Sequence, residues 1–371
     1  MPVASGTPPF DPTALTAAVD RAEVRAFTAE LRRSGALRTR WLSGAVLAII
    51  GGAIVLFTVP ALLALVSTIA SGTNTISPVS IFFVLFLAAV IAVIVVVIVR
   101  AFRGRAERRY RLDRFARANG LEWRGDVDDP PLPGMIFDQG HSREASDVVS
   151  GYRPRFIEVA NYAYKTGSGK SETTHKWAYV ALRLDTPLPH IVLDAVGNNG
   201  LFGASNLPIT FTREQRLGLE GDFDTYFALY CPEGYERDAL YLFTPDVMAR
   251  FIDNAAALDV EIVDDWLFLY ARRDLSTLDP RTWEWLFTTV AAIEEKVAQW
   301  ARWRDERLQA SAAAAGPTAV GTAAPLLTPP PAGVAPQGRR LKRSVSWLTV
   351  AIGVIVVGYW IVSIVSDVFL R

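Results

Sequence analysis

Few residues in this chain combine the types and spacings that chemistry requires, and the nearest candidate is a phosphate-binding loop at Thr166–Ser171. Its glycine, lysine and serine resemble the end of the loop that cradles phosphates in nucleotide-binding proteins. The full pattern needs a glycine five residues before Gly169, where the chain has Tyr164. It also needs a helix directly afterwards, so that the first amides face the phosphate, but residues 172–184 favour a strand. The sequence therefore predicts a hairpin turn here and no nucleotide site.

Metal and nucleophile chemistry have equally little support in the sequence. The chain has three histidines, His141, His175 and His190. They form no HxH or HxxxH pair, so we expect no zinc site. Cys231 ends an apolar stretch, which is typical of a buried structural cysteine rather than a nucleophile. The acidic residues at 126–129 lack the spacing of a calcium loop, and Asp264-Asp265 reads as a strand end. We therefore predict no catalytic, cofactor-binding or metal-binding residues.

The composition limits the partners and folds that this chain can have. Lys plus Arg and Asp plus Glu both number 38, so the net charge is zero and no overall field attracts nucleic acid. A single cysteine excludes an internal disulfide. Apolar residues make up 51% of the chain and concentrate in two stretches. That concentration predicts membrane segments.

The apolar stretches predict three transmembrane helices. No charged residue occurs between Trp41 and Val99, and a span needs about 20 apolar residues. The run is long enough for two helices, at about 42–70 and 79–100, with a third span at about 347–366. Within the first, three small residues at four-residue spacing are candidates for helix packing, with ordinary glycine and alanine usage as the alternative. They are Gly44, Ala48 and Gly52.

Positive residues beside these stretches predict their orientation. Arginines and lysines stand before the first span, after the second and before the third, whereas the loop between the first two has none. Since positive residues stay inside, we predict a multi-pass protein of the bacterial plasma membrane, with N-terminus and main domain cytoplasmic and C-terminus outside. The arginines after the second span either set this topology alone or also contact anionic lipid headgroups. They are Arg100, Arg103, Arg105, Arg108 and Arg109.

The predicted fold is a set of transmembrane helices plus one α+β cytoplasmic domain with a mainly antiparallel sheet covered by helices. The predicted parts are a cytoplasmic segment with an amphipathic helix (1–40), a transmembrane hairpin (41–100), the α+β domain (101–309), an Ala/Pro-rich linker (310–343) and the third transmembrane helix (344–371). Strand-like stretches follow one another without helices between them, which favours antiparallel pairing. They lie at 155–164, 177–184, 190–196, 223–231, 240–243, 260–263 and 266–271. A long helix at about 279–308 carries an apolar stripe that predicts packing on the sheet or on a partner helix.

Three short stretches carry a resemblance to a known family. They are Phe115–Leu121, Asp185–Pro189 and Leu242–Met248. The region from about 115 to 270 resembles an uncharacterised family of bacterial membrane-anchored domains of unknown function. The resemblance implies one domain rather than two, and it implies no activity.

These features lead to ranked functional hypotheses. The lack of a catalytic constellation favours a membrane-tethered interaction or scaffold protein, with the lipid bilayer and an unknown protein partner or second copy as its partners. The alternative is a ligand sensor or enzyme with an unrecognised site in the α+β domain. A third hypothesis is a membrane-surface module that uses the arginines after residue 100.

Overall fold

The structure is a computed structural model, and it describes residues 10–35, 52, 78–152, 155–199, 205–219, 221–236, 239–240, 243–255, 257–294 and 340–344. The chain divides into two compact units. One contains Met1–Leu15 and Phe115–Arg371, and the other contains Thr16–Arg114.

The unit Thr16–Arg114 is helical in its described residues. A short turn, α1 (Thr13–Thr16), precedes α2 (Arg21–Arg33). Asp20 caps α2 by accepting a hydrogen bond from the Ala22 amide at 3.0 Å. The long helix α3 (Pro78–Ala118) packs on α2, where Tyr110 donates a hydrogen bond to Glu23 at 2.6 Å and meets the Phe27 ring edge-on.

The predicted transmembrane architecture is wrong. Within the described residues, no helix has both the length and the apolar composition that a membrane crossing needs. The predicted second span, 79–100, is the first part of α3, which continues without a break through the arginine-rich residues to Ala118. A run without charge is therefore insufficient evidence for a separate span. The predicted multi-pass plasma-membrane location, with a cytoplasmic main domain and an external C-terminus, depended on those spans and is wrong for the same reason.

Parts of that prediction fall on residues outside the described ranges. These are the predicted third span, and the first span together with its packing residues Gly44 and Ala48. Gly52 is described and is helical; among the described residues, apart from its chain neighbours and the backbone of its own helix, no atom lies within 4 Å of the position that a Cβ would occupy. Its role in helix packing stays a prediction.

The other unit is built on an antiparallel sheet of short and long strands. Its strands are β1 (Glu122–Arg124), β2 (Val127–Asp128), β3 (His141–Tyr152), β4 (Phe156–Thr166), β5 (Thr173–Ala195), β7 (Arg216–Leu217), β8 (Phe227–Tyr230) and β9 (Asp259–Ala271). They follow the order β1-β3-β4-β5-β8-β7, with β2 beside β3 and β9 beside β5. A separate two-stranded ladder joins β6 (Thr210–Phe211) to β10 (Arg343–Ser344).

The 23-residue strand β5 organises this sheet. Its first part pairs with β4 on one side, and its last part pairs with β8 on the same side. Its other side pairs with β9 along almost its whole length. The register shifts between Arg183 and Ile191, where Pro187 and Pro189 interrupt the ladder because proline has no amide hydrogen to donate.

Two helices accompany the sheet after β8. The first, α5 (Pro245–Ala255), follows the four-residue helix α4 (Phe223–Tyr226) and β8. The second, α6 (280–294), begins after Asp279, whose carboxylate accepts the Arg281 amide hydrogen bond at 3.1 Å. Leu286, Val290 and Ile293 of the predicted stripe are buried on one face of α6. Residues 295–308 of the predicted helix lie outside the described ranges.

Candidate functional site

The most specific polar constellation in the described residues is a groove that holds residues 340–344. We call these five residues the docked segment. The docking groove is formed by His190, β6, Gln215 and Asp264, together with acidic residues on neighbouring loops. The docked segment is far from the groove in sequence, so its placement depends on these contacts.

The groove binds the backbone of the docked segment at three successive positions. The Leu341 amide donates to His190 Nδ1 at 3.3 Å. Gln215 accepts from the Lys342 amide at 2.7 Å through Oε1 and donates to the Lys342 carbonyl at 2.9 Å through Nε2. Arg343 and Ser344 then pair with β6 in an antiparallel ladder. An extended segment is therefore held by strand addition, a mode that reads the backbone rather than the side chains.

One side chain of the docked segment enters the core. Leu341 is only 6% exposed and belongs to the cluster that contains Phe211 and Val263. Burying a leucine contributes about 1.5–3 kcal/mol. This contact supplies the apolar anchor of the segment.

Three cations of the docked segment each meet one carboxylate. Arg340 pairs with Asp264 at 2.5 Å, and Arg343 pairs with Asp138 at 2.7 Å. Lys342 lies 3.9 Å from Glu233. These pairs are largely exposed, and such pairs are worth about 0–1 kcal/mol each. They therefore stabilise the docked state less than the burial of Leu341 does.

A buried network fixes the base of the groove. Glu261 accepts three hydrogen bonds: His190 Nε2 at 2.9 Å on Oε1, and the Tyr270 hydroxyl at 2.6 Å and the Met135 amide at 2.7 Å on Oε2. Because the Leu341 amide donates to Nδ1, the proton of a neutral His190 lies on Nε2 and points at Glu261. The network therefore presents an acceptor to the docked segment.

Burial and the adjacent carboxylate keep the tyrosine of this network neutral. Burial is the main reason that the pKa of Tyr270 lies well above its ordinary range, and Glu261 raises it further. Gly134 is needed beside it, since a Cβ there would lie 2.1 Å from the Tyr270 hydroxyl oxygen. A glycine at residue 134 therefore leaves the space in which the Tyr270 hydroxyl donates to Glu261.

The residues singled out from the sequence lie elsewhere, with two exceptions. The phosphate-loop-like stretch connects β4 to β5 as a hairpin, where Lys165 pairs with Glu172 at 2.7 Å. His141 and His175 bond to that hairpin through Gly167 and Thr166. Within the described residues, no three His, Cys, Asp or Glu side chains form a group that could hold a metal ion. His190 and Asp264 belong to the docking groove.

The predicted lipid-contact arginines lie on α3. Arg100, Arg103 and Arg105 are exposed, whereas Arg108 and Arg109 are partly buried. Their contact with anionic headgroups stays a prediction.

The docking groove includes residues that sequence reasoning did not select, chiefly Gln215 and Glu261. One signal for Glu261 was present, since it interrupts the apolar run of Val260 and Ile262. A charged residue in such a run is either exposed or held by buried partners.

A second feature is an open cleft of about 460 Å³. It is lined by Tyr152, Arg155, Phe156, Arg183, Asp185 and Trp266. Arg155 pairs with Asp185, and Arg183 pairs with Asp265 while stacking 4.9 Å from the Trp266 ring. Each guanidinium charge is thus already matched, so the cleft offers a ligand less unsatisfied polarity than the docking groove does.

Comparisons with known proteins give no family for this chain. No protein-family model matches it, and no curated protein matches it. Among solved structures, a crystal structure of the mycobacterial trehalose monomycolate transport factor A, TtfA, is similar, with a TM-score of 0.35 and 11% sequence identity. The similarity covers 50% of this chain and 92% of that one. A likeness of this extent carries no conclusion about function.

Proposed function

We propose that this chain is an interaction protein whose sheet domain captures an extended basic segment, and that its own residues 340–344 are one occupant. The observation that carries the proposal is the two-way hydrogen bonding of Gln215 with the peptide groups of Lys342. A side-chain amide that donates to and accepts from one residue's backbone is suited to holding any extended peptide. The Leu341 pocket and the three carboxylates add a preference for the sequence Arg-Leu-Lys-Arg.

The geometry supports binding rather than catalysis at this site. His190 is bonded at both ring nitrogens, to Glu261 and to the Leu341 amide. The Glu261 carboxylate already accepts three donors. Both groups are therefore occupied by hydrogen bonds, which suits the network to holding a backbone donor in place.

A peptide-binding experiment on the full chain tests the proposal. Leu341→Asp places a charge in the apolar pocket and should release the docked segment. A fluorescent peptide with the sequence of residues 338–346 should then bind the variant with an apparent Kd about tenfold or more below that for the wild type. The wild type resists the peptide because its own tethered segment competes at a high effective concentration.

Two further variants make the outcome decisive. Leu240→Asp is the matched control, because Leu240 is exposed, and it should bind the peptide as weakly as the wild type does. Adding Gln215→Ala to Leu341→Asp should abolish the gain. Equal peptide binding by all four proteins, or none by any, would contradict the proposal.

A further inference from the structure

His190 is a titratable side chain that contacts the backbone of the docked segment directly. It is buried, and both of its ring nitrogens are hydrogen-bonded. Nε2 donates to Glu261 Oε1 at 2.9 Å, and Nδ1 accepts from the Leu341 amide at 3.3 Å. Because a backbone amide nitrogen can only donate, the second bond requires a lone pair on Nδ1. The docked state therefore requires a neutral imidazole at residue 190.

Protonation would change what this ring offers to the docked segment. An imidazolium donates at both nitrogens, so a proton on Nδ1 would point at the Leu341 N–H and two donors would face each other. The Leu341 amide would then be buried without an acceptor, which destabilises a folded contact. The empty groove has no such conflict, because Nδ1 then faces the space that the Leu341 amide has left.

The charged and titratable groups around the ring do not relieve this conflict. The groups that surround it are Glu261 and Asp264 from β9, the uncharged ring of Phe211 from β6, and Arg340 and Lys342 from the docked segment. Glu261 is bonded at the other nitrogen, and Asp264 is paired with Arg340. Arg340 and Lys342 flank Leu341 and have the same sign of charge as an imidazolium. Docking beside a protonated His190 would therefore bring like charges together as well as two donors.

We propose that a proton and the docked segment compete for His190 Nδ1, so that mild acidification releases the segment from the docking groove. The inference rests on the proposed function, because it assigns a regulator to the same groove. Docking is strongest where the imidazole is neutral, and it weakens as the pH falls. Histidine is the side chain that ordinarily changes charge between about pH 5 and 8, so the groove would respond to small changes in acidity.

Binding of the labelled peptide of residues 338–346 to full-length Leu341→Asp tests the competition. Between about pH 8 and about pH 5.5 the Kd should rise about tenfold, as for a single group that takes up a proton near pH 6.5. The carboxylates of the groove ordinarily take up protons near pH 4, below this range. His190→Asn in the same background keeps an acceptor oxygen close to the place of Nδ1 and does not titrate. Its Kd should change by less than about twofold over the same range.

Proton release gives a second measurement that needs no change at residue 190. Calorimetric titration of Leu341→Asp with the peptide, in buffers of different ionisation enthalpy, counts the protons that binding releases. We expect about one proton per peptide at about pH 5.5 and almost none at about pH 8. This measurement stands even where His190→Asn lowers stability by removing a donor from Glu261.

The possible outcomes separate this inference from the proposed function. Binding at about pH 8 that is unchanged at about pH 5.5, without proton release, would overturn the inference and leave the proposed function standing. A pH dependence that persists in His190→Asn would assign the proton to another group and would overturn it as well. An absence of peptide binding at about pH 8 would overturn the proposed function and, with it, this inference.

Discussion

At the scale of single residues, Glu261 connects the core of the sheet domain to its surface. It lies on β9, and its three donors are Tyr270 of the same strand, His190 of β5 and the Met135 amide. One of those donors, His190, also accepts the hydrogen bond from the Leu341 amide of the docked segment. A change at Glu261 should therefore affect both stability and docking.

Glu261→Gln should lower the free energy of unfolding by about 3 kcal/mol, because the new amide can accept fewer hydrogen bonds and turns a donor toward buried donors. The midpoint of urea unfolding measures this loss. Glu122→Gln, at an exposed position on β1, is the control and should change stability by less than about 0.5 kcal/mol. If Glu261→Gln lowered the free energy of unfolding no more than Glu122→Gln does, the buried network would contribute little to stability.

Cys231 provides a prediction about pH. Burial raises the pKa of its thiol to about 11 from an ordinary value of 9.0. Only the thiolate reacts, so at about pH 8 the folded protein should alkylate far more slowly than the urea-unfolded protein does. Iodoacetamide labelling followed by mass spectrometry measures the two rates.

The raised pKa of the Cys231 thiol also determines the direction in which stability changes with pH. A thiol whose pKa is raised by folding keeps its proton in the native state and loses it first in the unfolded state. Its contribution to stability is therefore full below about pH 9 and declines as the pH rises through about 11. Rapid labelling of the native protein at about pH 8 would show that the thiol is accessible and the argument from burial is wrong.

At the scale of elements, β5 is the strand on which the others depend. Residues Ala178–Leu182 are the stretch that pairs with both β4 and β9. They are also completely buried or nearly so. Opening these amides requires both neighbouring strands to separate.

Native-state hydrogen exchange should accordingly be slowest at Ala178–Leu182. Exchange there should report global unfolding, whereas β7, which among the described strands pairs with β8 alone, should exchange through local opening. Mass spectrometry of peptides from the exchanged protein gives the comparison. Equal protection of β5 and β7 would show that the sheet opens as one unit.

The strands of this sheet were only partly predictable from the sequence. The stretches at 177–184 and 190–196 were predicted as separate strands, yet they belong to the single strand β5, which continues through Asp185–Pro189 beside β9. Likewise β9 continues through Asp264, which adopts a φ of 53°. Phe223–Tyr226 was predicted as strand and is a short helix, since apolar content alone cannot separate the two. Long-range pairing decides these cases.

At the scale of the whole molecule, the sequence indicated the antiparallel sheet but not the docking groove. Consecutive β-like stretches require antiparallel neighbours, which can be inferred locally. The groove unites residues near 190, 215, 261 and 341, and no local pattern reports that they meet. The cationic sequence Arg339–Arg343 was interpreted as a topology signal, whereas Arg340 and Arg343 pair with carboxylates of the sheet domain. The membrane prediction failed for a related reason. It was based on local composition, which does not show that α3 continues without a break from Pro78 to Ala118.

The docked segment also has a consequence for the connection that precedes it. Residues 295–339, which lie outside the described ranges, connect the described part of α6 to the docked segment. The entropy of closing a flexible loop grows only with the logarithm of its length, by about 0.6 kcal/mol for each doubling. Lengthening this connection would therefore weaken docking much less than removing the Leu341 anchor. Docking should therefore tolerate changes in the length of this connection far better than changes in the five residues of the docked segment.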